Sequence, residues 1–173
     1  MKYLGLDLSL RSTGWCIIKV IDRNPRVFRY GVIQPKKLRD IERLVFIESV
    51  VRRICLTWKI QGVGLEGYAF FSRTGKAMDR GELGGIIKRY FHEAGIPVNI
   101  IAPKSIKKFV TGNGNSDKKQ MVEVVLANSG CSFQRITRGR LNDVADAYGV
   151  AYMSIAKAGH IDVASWRQEM LEV

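Results

Sequence analysis

Four carboxylates stand out in this chain, and three of them sit where a soluble fold has no structural need for them. Asp7 interrupts the apolar run Tyr3-Leu4-Gly5-Leu6-Asp7-Leu8-Ser9, which otherwise reads as a buried strand. Glu66 closes a second such run, Val63-Gly64-Leu65-Glu66. Asp143 and Asp146 fall one helical turn apart in Leu141-Asn142-Asp143-Val144-Ala145-Asp146-Ala147-Tyr148. Burying a lone carboxylate is costly unless it is paired or bound to a cation. Phosphodiester hydrolysis at neutral pH needs an activated water and neutralisation of the leaving oxygen, and two Mg²⁺ ions about 4 Å apart supply both. Hard cations take oxygen ligands, which makes Asp and Glu the fitting residues. Asp7 on a central strand could bridge two metals and Glu66 could hold one. Asp143 and Asp146, sharing a helical face, could close the set. Taken singly, Asp143 or Asp146 reads as an ordinary salt-bridge partner, cap or surface acid. Asp7 does not, because its neighbours are apolar. The four together, in a basic chain, have the layout of a metal-dependent nuclease.

A basic stretch runs from Lys104 to Lys119 and holds Lys104, Lys107, Lys108, Lys118 and Lys119 around Gly112 and Gly114. Glycine lets backbone amides approach a phosphate, and a helix start adds partial positive charge. Lys107 and Lys118 flank the loop and could both point at one phosphodiester. The plain alternative is a solvated loop with a routine cap. Directly after Glu66 comes Gly67-Tyr68-Ala69-Phe70-Phe71-Ser72-Arg73. Phe70 or Phe71 could stack on unpaired bases or wedge between them, with Arg73 as a nearby cation, although some of these aromatics read equally as core. Arg135, Arg138 and Arg140 precede the last acidic helix and could touch phosphates as positioning groups. Their bland reading is surface arginines. His92 and His160 carry no ligand pattern, and no Ser/His/Asp or Cys/His nucleophile set is present.

These groups need a scaffold, and composition bounds it. The 173 residues make roughly one domain, and 46% apolar content suffices for a core without disulfides. Lys plus Arg number 28 against 16 Asp plus Glu, a net charge of +12. Such an excess points to nucleic acid or an anionic membrane surface. No apolar run approaches the roughly 18 residues of a membrane span, and the first residues read as a strand rather than a leader. An intracellular protein is expected, cytoplasmic or nucleoid-associated and not secreted, with a virus-encoded or organellar origin left open. Cys16, Cys55 and Cys131 are odd in number, widely spaced and expected to be reduced thiols rather than zinc ligands.

Periodicity supplies the elements. Residues 2–9, 15–21 and 27–33 read as strands of an antiparallel meander, with turns at Ser12-Thr13-Gly14 and Asp22-Arg23-Asn24-Pro25. A helix over 38–58 carries the stripe Ile41, Leu44, Ile47, Val51, Ile54 and Trp58. Residues 62–66 form a strand, 68–78 a loop, 80–94 a helix and 98–101 a fifth strand. A short helix follows over 103–109, then a helix over 117–128 capped by Ser116. A basic connection over 130–139 leads to a long helix over 140–158. The division is a domain over 1–158 and an unplaced tail over 159–173. This order predicts an α/β domain with a mixed five-stranded sheet flanked by helices. In the helix over 80–94, Gly84-Gly85 with Leu83, Ile87 and Tyr90 is a candidate dimer contact.

With these residues in hand, the chain resembles the RuvC family of Holliday-junction resolvases, from Tyr3 to about Ala158. Leu4-Gly5-Leu6-Asp7-Leu8-Ser9 followed by Thr13-Gly14-Trp15 is similar to the family's opening strand and turn. Leu65-Glu66-Gly67 is similar to its second acidic motif, Pro103 through Lys118 to its basic loop, and Asp143-Val144-Ala145-Asp146-Ala147 to its last motif. The resemblance implies an RNase H-like fold and a homodimer that nicks four-way DNA junctions in pairs. It implies two Mg²⁺ or Mn²⁺ ions per site on Asp7, Glu66, Asp143 and Asp146. Lys107 and Lys118 would be phosphate-contacting lysines, and a helicase would be a plausible partner. The segment Tyr68 to Asp79 departs from the family's pattern, and the tail from Ile161 is unplaced by it, so substrate range and dimer contacts stay open. The alternatives are a broader nuclease cutting flaps, forks and replication junctions, and a non-catalytic junction-binding protein. An RNase H activity on hybrids fits less well with the basic Gly-x-Gly loop. The Asp7 and Thr13-Gly14 pattern is also similar to the phosphate loop of actin-like kinases, but this length leaves no room for their second half.

Overall fold

The computed structural model describes residues 1–67 and 76–171, with backbone alone for 76–80. Three strands open it: β1 (Lys2–Asp7), β2 (Thr13–Ile21) and β3 (Asn24–Ile33). They form the expected antiparallel meander. The β2–β3 hairpin turns on Asp22 and Arg23, both at positive φ (49° and 61°). Paired left-handed residues match the twist of the flanking strands. Pro25, read as part of the turn, lies inside β3, which tolerates it because β3 is the edge of the sheet.

Helix α1 (Asp40–Trp58) leads to β4 (Gly62–Glu66), then α2 (Lys76–Glu93) leads to β5 (Val98–Ile101). The sheet order is β3-β2-β1-β4-β5, with β4 parallel to β1 and β5 parallel to β4. The mixed five-stranded α/β domain read from the sequence is therefore the fold. Helices α3 (Pro103–Thr111), α4 (Lys118–Asn128) and α5 (Leu141–Lys157) follow, with a 3₁₀ turn at Arg138–Arg140 before α5. Among the described residues, no helix is long and apolar enough to cross a membrane.

Strand alternation sends neighbouring side chains to opposite faces. Leu4, Leu6, Ile17, Val63 and Leu65 join one apolar cluster with Ile47 and Val51 of α1 and Leu83 and Ile87 of α2. Tyr3, Cys16 and Ile18 join the other, with Phe109 of α3, Met121 of α4 and Val144, Ala147 and Val150 of α5. Asp7 is two residues beyond Gly5 and four beyond Tyr3, so it belongs to the α5 face.

Four local readings change. Thr13 and Gly14 are not a turn but the start of β2; the connection is Leu8 to Ser12, held by the Thr13 hydroxyl, which donates to Ser9 O at 2.7 Å and accepts from Ser9 N at 3.1 Å. Ile41 is not part of the buried stripe of α1; it is 61% exposed in the helix's first turn. The cap of α4 is Asp117, not Ser116: Asp117 Oδ1 accepts from Gln120 N at 2.8 Å while Gln120 Oε1 accepts from Asp117 N at 3.0 Å. Leu83, Ile87 and Tyr90, read as dimer contacts, are buried inside this domain. The residues after α5 pack back on the body. Ile161 is buried in the α5-side cluster, the His160 ring lies 5.5 Å from that of Tyr3, and a short helix α6 (Ser165–Gln168) follows.

Candidate active site

Asp7 and Glu66 end β1 and β4. Leu6 is paired with Leu65 in the parallel ladder, so the two acids are the next residues of neighbouring strands. Gly64 faces α5, and Glu66, two residues on, shares that face. Both acids thus project from the carboxyl ends of parallel strands, the edge where open α/β sheets bind ligands. The other neighbour of Asp7 is Gly14 on β2.

Glycines bring α5 to these strands. A Cβ on Gly14 would lie 1.9 Å from Asp143 O, and one on Gly5 would lie 2.0 Å from Ala147 O. No side chain fits between helix and sheet at either point. The first turns of α5 therefore rest directly on β1 and β2, with Asp143 and Asp146 beside the end of β1. The Asp143 carboxylate accepts from the buried Ser12 hydroxyl at 2.5 Å, and Arg140 Nη1 lies 3.8 Å away. With its amide oxygen turned inward, Gln34 accepts from the same Arg140 guanidinium at 3.0 and 3.2 Å.

The electrostatics record how closely these groups meet. The Asp146 carboxyl is raised to about 6, first by burial, then by the negative charge of Asp7, with a smaller push from Asp143. Lys118 and Lys107 pull it back down. Three acids and two lysines, drawn from β1, α3, α4 and α5, therefore share one electrostatic neighbourhood. Among the described residues, no three acidic, histidine or cysteine side chains stand close enough to form a metal-binding group. The acids adjoin without making a closed cage.

The lysines are brought there by an ordered joint between α3 and α4. The Thr111 hydroxyl contacts Lys107 O at 2.8 Å and the Ser116 hydroxyl at 2.6 Å, and Ser116 Oγ donates to Asn113 O at 2.7 Å. Asn113 Oδ1 accepts from Asn115 N at 2.9 Å. Gly112 takes φ of 83° to end α3, a conformation that suits glycine. The Gly-x-Gly loop is thus a bonded corner between the helices that carry Lys107 and Lys118, whose charges both reach Asp146.

The remaining candidates divide. Lys104, Lys108, Arg135 and Arg138 are exposed. Lys119 is exposed and lies 3.9 Å from Glu123 across one helical turn, a weak surface pair. Arg140 sits beside Asp143 rather than free on the surface. Phe70, Phe71 and Arg73 lie outside the described residues. Sequence reasoning missed Ser12 and Gln34. Neither carries a distinguishing local pattern, and they matter only through long-range contacts to Asp143 and Arg140.

A family model, crossover junction endodeoxyribonuclease RuvC, matches residues 3–154. The protein of that name from Synechococcus sp. (strain WH7803) is 28% identical over 152 residues, spanning 87% of this chain and 96% of that one. The one from Chloroflexus aurantiacus (strain ATCC 29366 / DSM 635 / J-10-fl) is 29% identical over 152 residues, spanning 87% of this chain and 90% of its own. Among solved structures, Thermus thermophilus RuvC in complex with Holliday junction substrate superposes with a TM-score of 0.77 at 21% identity, over 92% of this chain and 97% of that one. The fowlpox virus resolvase with its substrate Holliday junction DNA gives 0.65 at 16% identity, over 91% of this chain and 99% of that one. The fold is that of these resolvases, and the sequence match extends across the acidic residues of β1, β4 and α5: the chain belongs to the RuvC family of crossover junction endodeoxyribonucleases.

Proposed function

We propose that this chain is a divalent-metal-dependent endonuclease that resolves four-way DNA junctions by paired nicks, working as a homodimer. The observation that carries the reading is the neighbourhood of Asp146, where Asp7, Asp143, Lys107 and Lys118 all act on one carboxyl. Family membership gives that cluster its chemistry. The Thermus and fowlpox resolvases hold Holliday junction DNA, and the same substrate is assigned here.

Asp7, Glu66, Asp143 and Asp146 would hold Mg²⁺ or Mn²⁺, two ions per site. The donors fit: all are carboxylate oxygens, the ligands hard cations take, and a bound cation would offset both the burial and the neighbouring negative charge of Asp7 that raise Asp146. When bound, the ions supply an activated water and neutralise the leaving oxygen. The protein's own groups do the rest. Ser12 and Arg140 fix the Asp143 carboxylate. Lys107 and Lys118 place ammonium donors beside the acids, where the scissile phosphate must come. Lys104, Lys108, Lys119, Arg135 and Arg138 form an outer basic surface for the flanking backbone, a positioning role without sequence reading. Phe70, Phe71 and Arg73, directly after Glu66, are assigned to the unpaired bases at the branch. A homodimer presents two such sites to opposed strands.

The test is cleavage of an immobile four-way junction against linear duplex, fork and flap, with Mg²⁺ and with EDTA. Paired symmetric nicks on the junction alone, lost with EDTA, are expected. Equal cutting of forks and flaps would replace junction specificity with general branched-DNA cleavage. Binding without cutting would overturn the enzymatic reading.

A further inference from the structure

The segment after α5 carries one side chain whose contacts exceed what a surface residue needs. Arg167, on α6, donates from Nε to Phe109 O at 2.7 Å and from Nη2 to Val110 O at 3.3 Å. These carbonyls lie in the last turn of α3, which has no intrahelical donors left for them. The same guanidinium lies 5.5 Å from the Phe109 ring of α3 and 5.6 Å from the Tyr152 ring of α5. Trp166 packs on it from its own helix at 4.5 Å. A planar fork that bonds two carbonyls and stacks on two rings is a task for arginine rather than lysine.

We infer that Arg167 is a positioning residue for the reaction, setting the spacing between the helix that carries Lys107 and the helix that carries Asp143 and Asp146. The path is short on both sides. On α3, Lys107 precedes the bonded carbonyls by two and three residues, and its own carbonyl is held by the Thr111 hydroxyl of the same turn. On α5, Tyr152 stacks against Tyr148 at 5.8 Å, one half-turn from Asp146. Elsewhere α3 meets α5 through apolar contacts, around Gly149, where a Cβ would lie 2.9 Å from Ile106 and 3.0 Å from Val110. Apolar packing resists separation but permits sliding. One guanidinium ties the two helices together, through two hydrogen bonds to α3 and a cation–π contact to Tyr152 of α5. The segment reaches its place through buried Ile161 and the Arg23–Asp162 pair.

The inference rests on the assignment of Lys107 to the site, and a double-mutant cycle separates the two. Cleavage of saturating junction is measured for wild type, Arg167→Ala, Lys107→Ala and the double variant, with thermal unfolding confirming that each is folded. Arg167→Ala is expected to lower kcat about tenfold, the scale of a displacement well under 1 Å, with junction affinity changed less than about twofold. In the Lys107→Ala background the same change should cost less than about twofold, since the group being placed is gone. Equal losses in both backgrounds, with Lys107→Ala itself slow, would overturn the inference while leaving Lys107 in the site. Lys107→Ala cutting at wild-type rate would overturn both. If Arg167→Ala does not fold, Arg167→Gln, which keeps one donor and most of the volume, goes through the same cycle.

Discussion

The two faces of the sheet are built by different rules. Against α1 and α2, the strands present Leu4, Leu6, Ile17, Val63 and Leu65, and helix meets sheet through interlocked aliphatic side chains. Against α5, the strands present Gly5, Gly14 and Gly64, and the helix backbone itself rests on the sheet. The first arrangement tolerates small shifts, because side chains can repack. The second does not, since backbone atoms of α5 already occupy the places of the missing Cβ atoms at Gly5 and Gly14 and crowd that of Gly64. The acids lie on the second face. A site whose charges come from three or more elements needs the tighter of the two contacts.

The largest break of this contrast is chemical. Asp7→Asn keeps shape and packing on the glycine face and removes one negative charge from beside Asp146. Losing several kcal/mol of transition-state stabilisation corresponds to about a thousandfold or more in rate. Junction binding should be unchanged or tighter, because a charge that repels phosphate is lost. A gel-shift titration beside single-turnover cleavage checks both, and near wild-type cutting would displace Asp7 from the centre of the site.

The next break is mechanical. Gly14→Ala puts a methyl into the backbone of Asp143, so α5 must lift. Overpacking of this kind costs about 1–3 kcal/mol of stability. Leu4→Ala on the opposite face empties a fully buried position and costs about 2–5 kcal/mol. The two variants are thus similar in melting but should separate in activity. Assayed well below its melting temperature, folded Leu4→Ala should cut within about twofold of wild type, while Gly14→Ala loses about tenfold or more. If both keep activity, the glycine contact is packing alone.

This contrast also explains what the sequence disclosed. The acids of Asp7 and Glu66 were legible because each interrupts an apolar strand, and the meander and five strands followed from period-two runs between turn residues. The Ser116 cap failed because a competing Asp117 stood next to it, and Ser116 was taken instead by Thr111 and Asn113. Ile41 failed because a periodic stripe does not reveal where a helix begins to overhang the sheet. Gly5, Gly14 and Gly64 were visible as residues, yet their meaning lay in a helix roughly 80 to 140 positions away. Sequence separation likewise hid Ser12, 131 positions from Asp143, and Arg167, 57 and 58 positions from the carbonyls it bonds.

Acidity gives a third probe of the glycine face. The Asp146 carboxyl stands at about 6 in the folded chain against 3.8 for an ordinary Asp. The folded state therefore holds the extra proton between roughly pH 4 and pH 6. Its stabilising contribution is complete below the unfolded value and disappears as pH rises through the folded one. Without divalent ions, wild type should melt lower at pH 7.5 than at pH 5, and Asp146→Asn should shrink that difference. Mg²⁺ added at pH 7.5 should restore wild-type stability by binding only the native state. A mutant whose melting tracks wild type across this range would mean that Asp146 is not the group under strain.

The smallest effect tests how far the site extends beyond the acids. Lys118 is exposed at the start of α4, yet its charge reaches Asp146. If it also meets a phosphate, Lys118→Ala should reduce the salt dependence of junction binding by about 0.9 in log–log slope. Lys119, its exposed neighbour paired with Glu123, could reduce the slope in the same way, so affinity alone does not tell the two apart. Cleavage does. Removing Lys118 withdraws a charge that lowers the Asp146 pKa, so the acid limb of the rate profile should move to higher pH. Removing Lys119 should leave that limb in place. An acid limb that moves equally in both variants would make the lysines an unspecific basic surface and confine the site to the carboxylates on the glycine face.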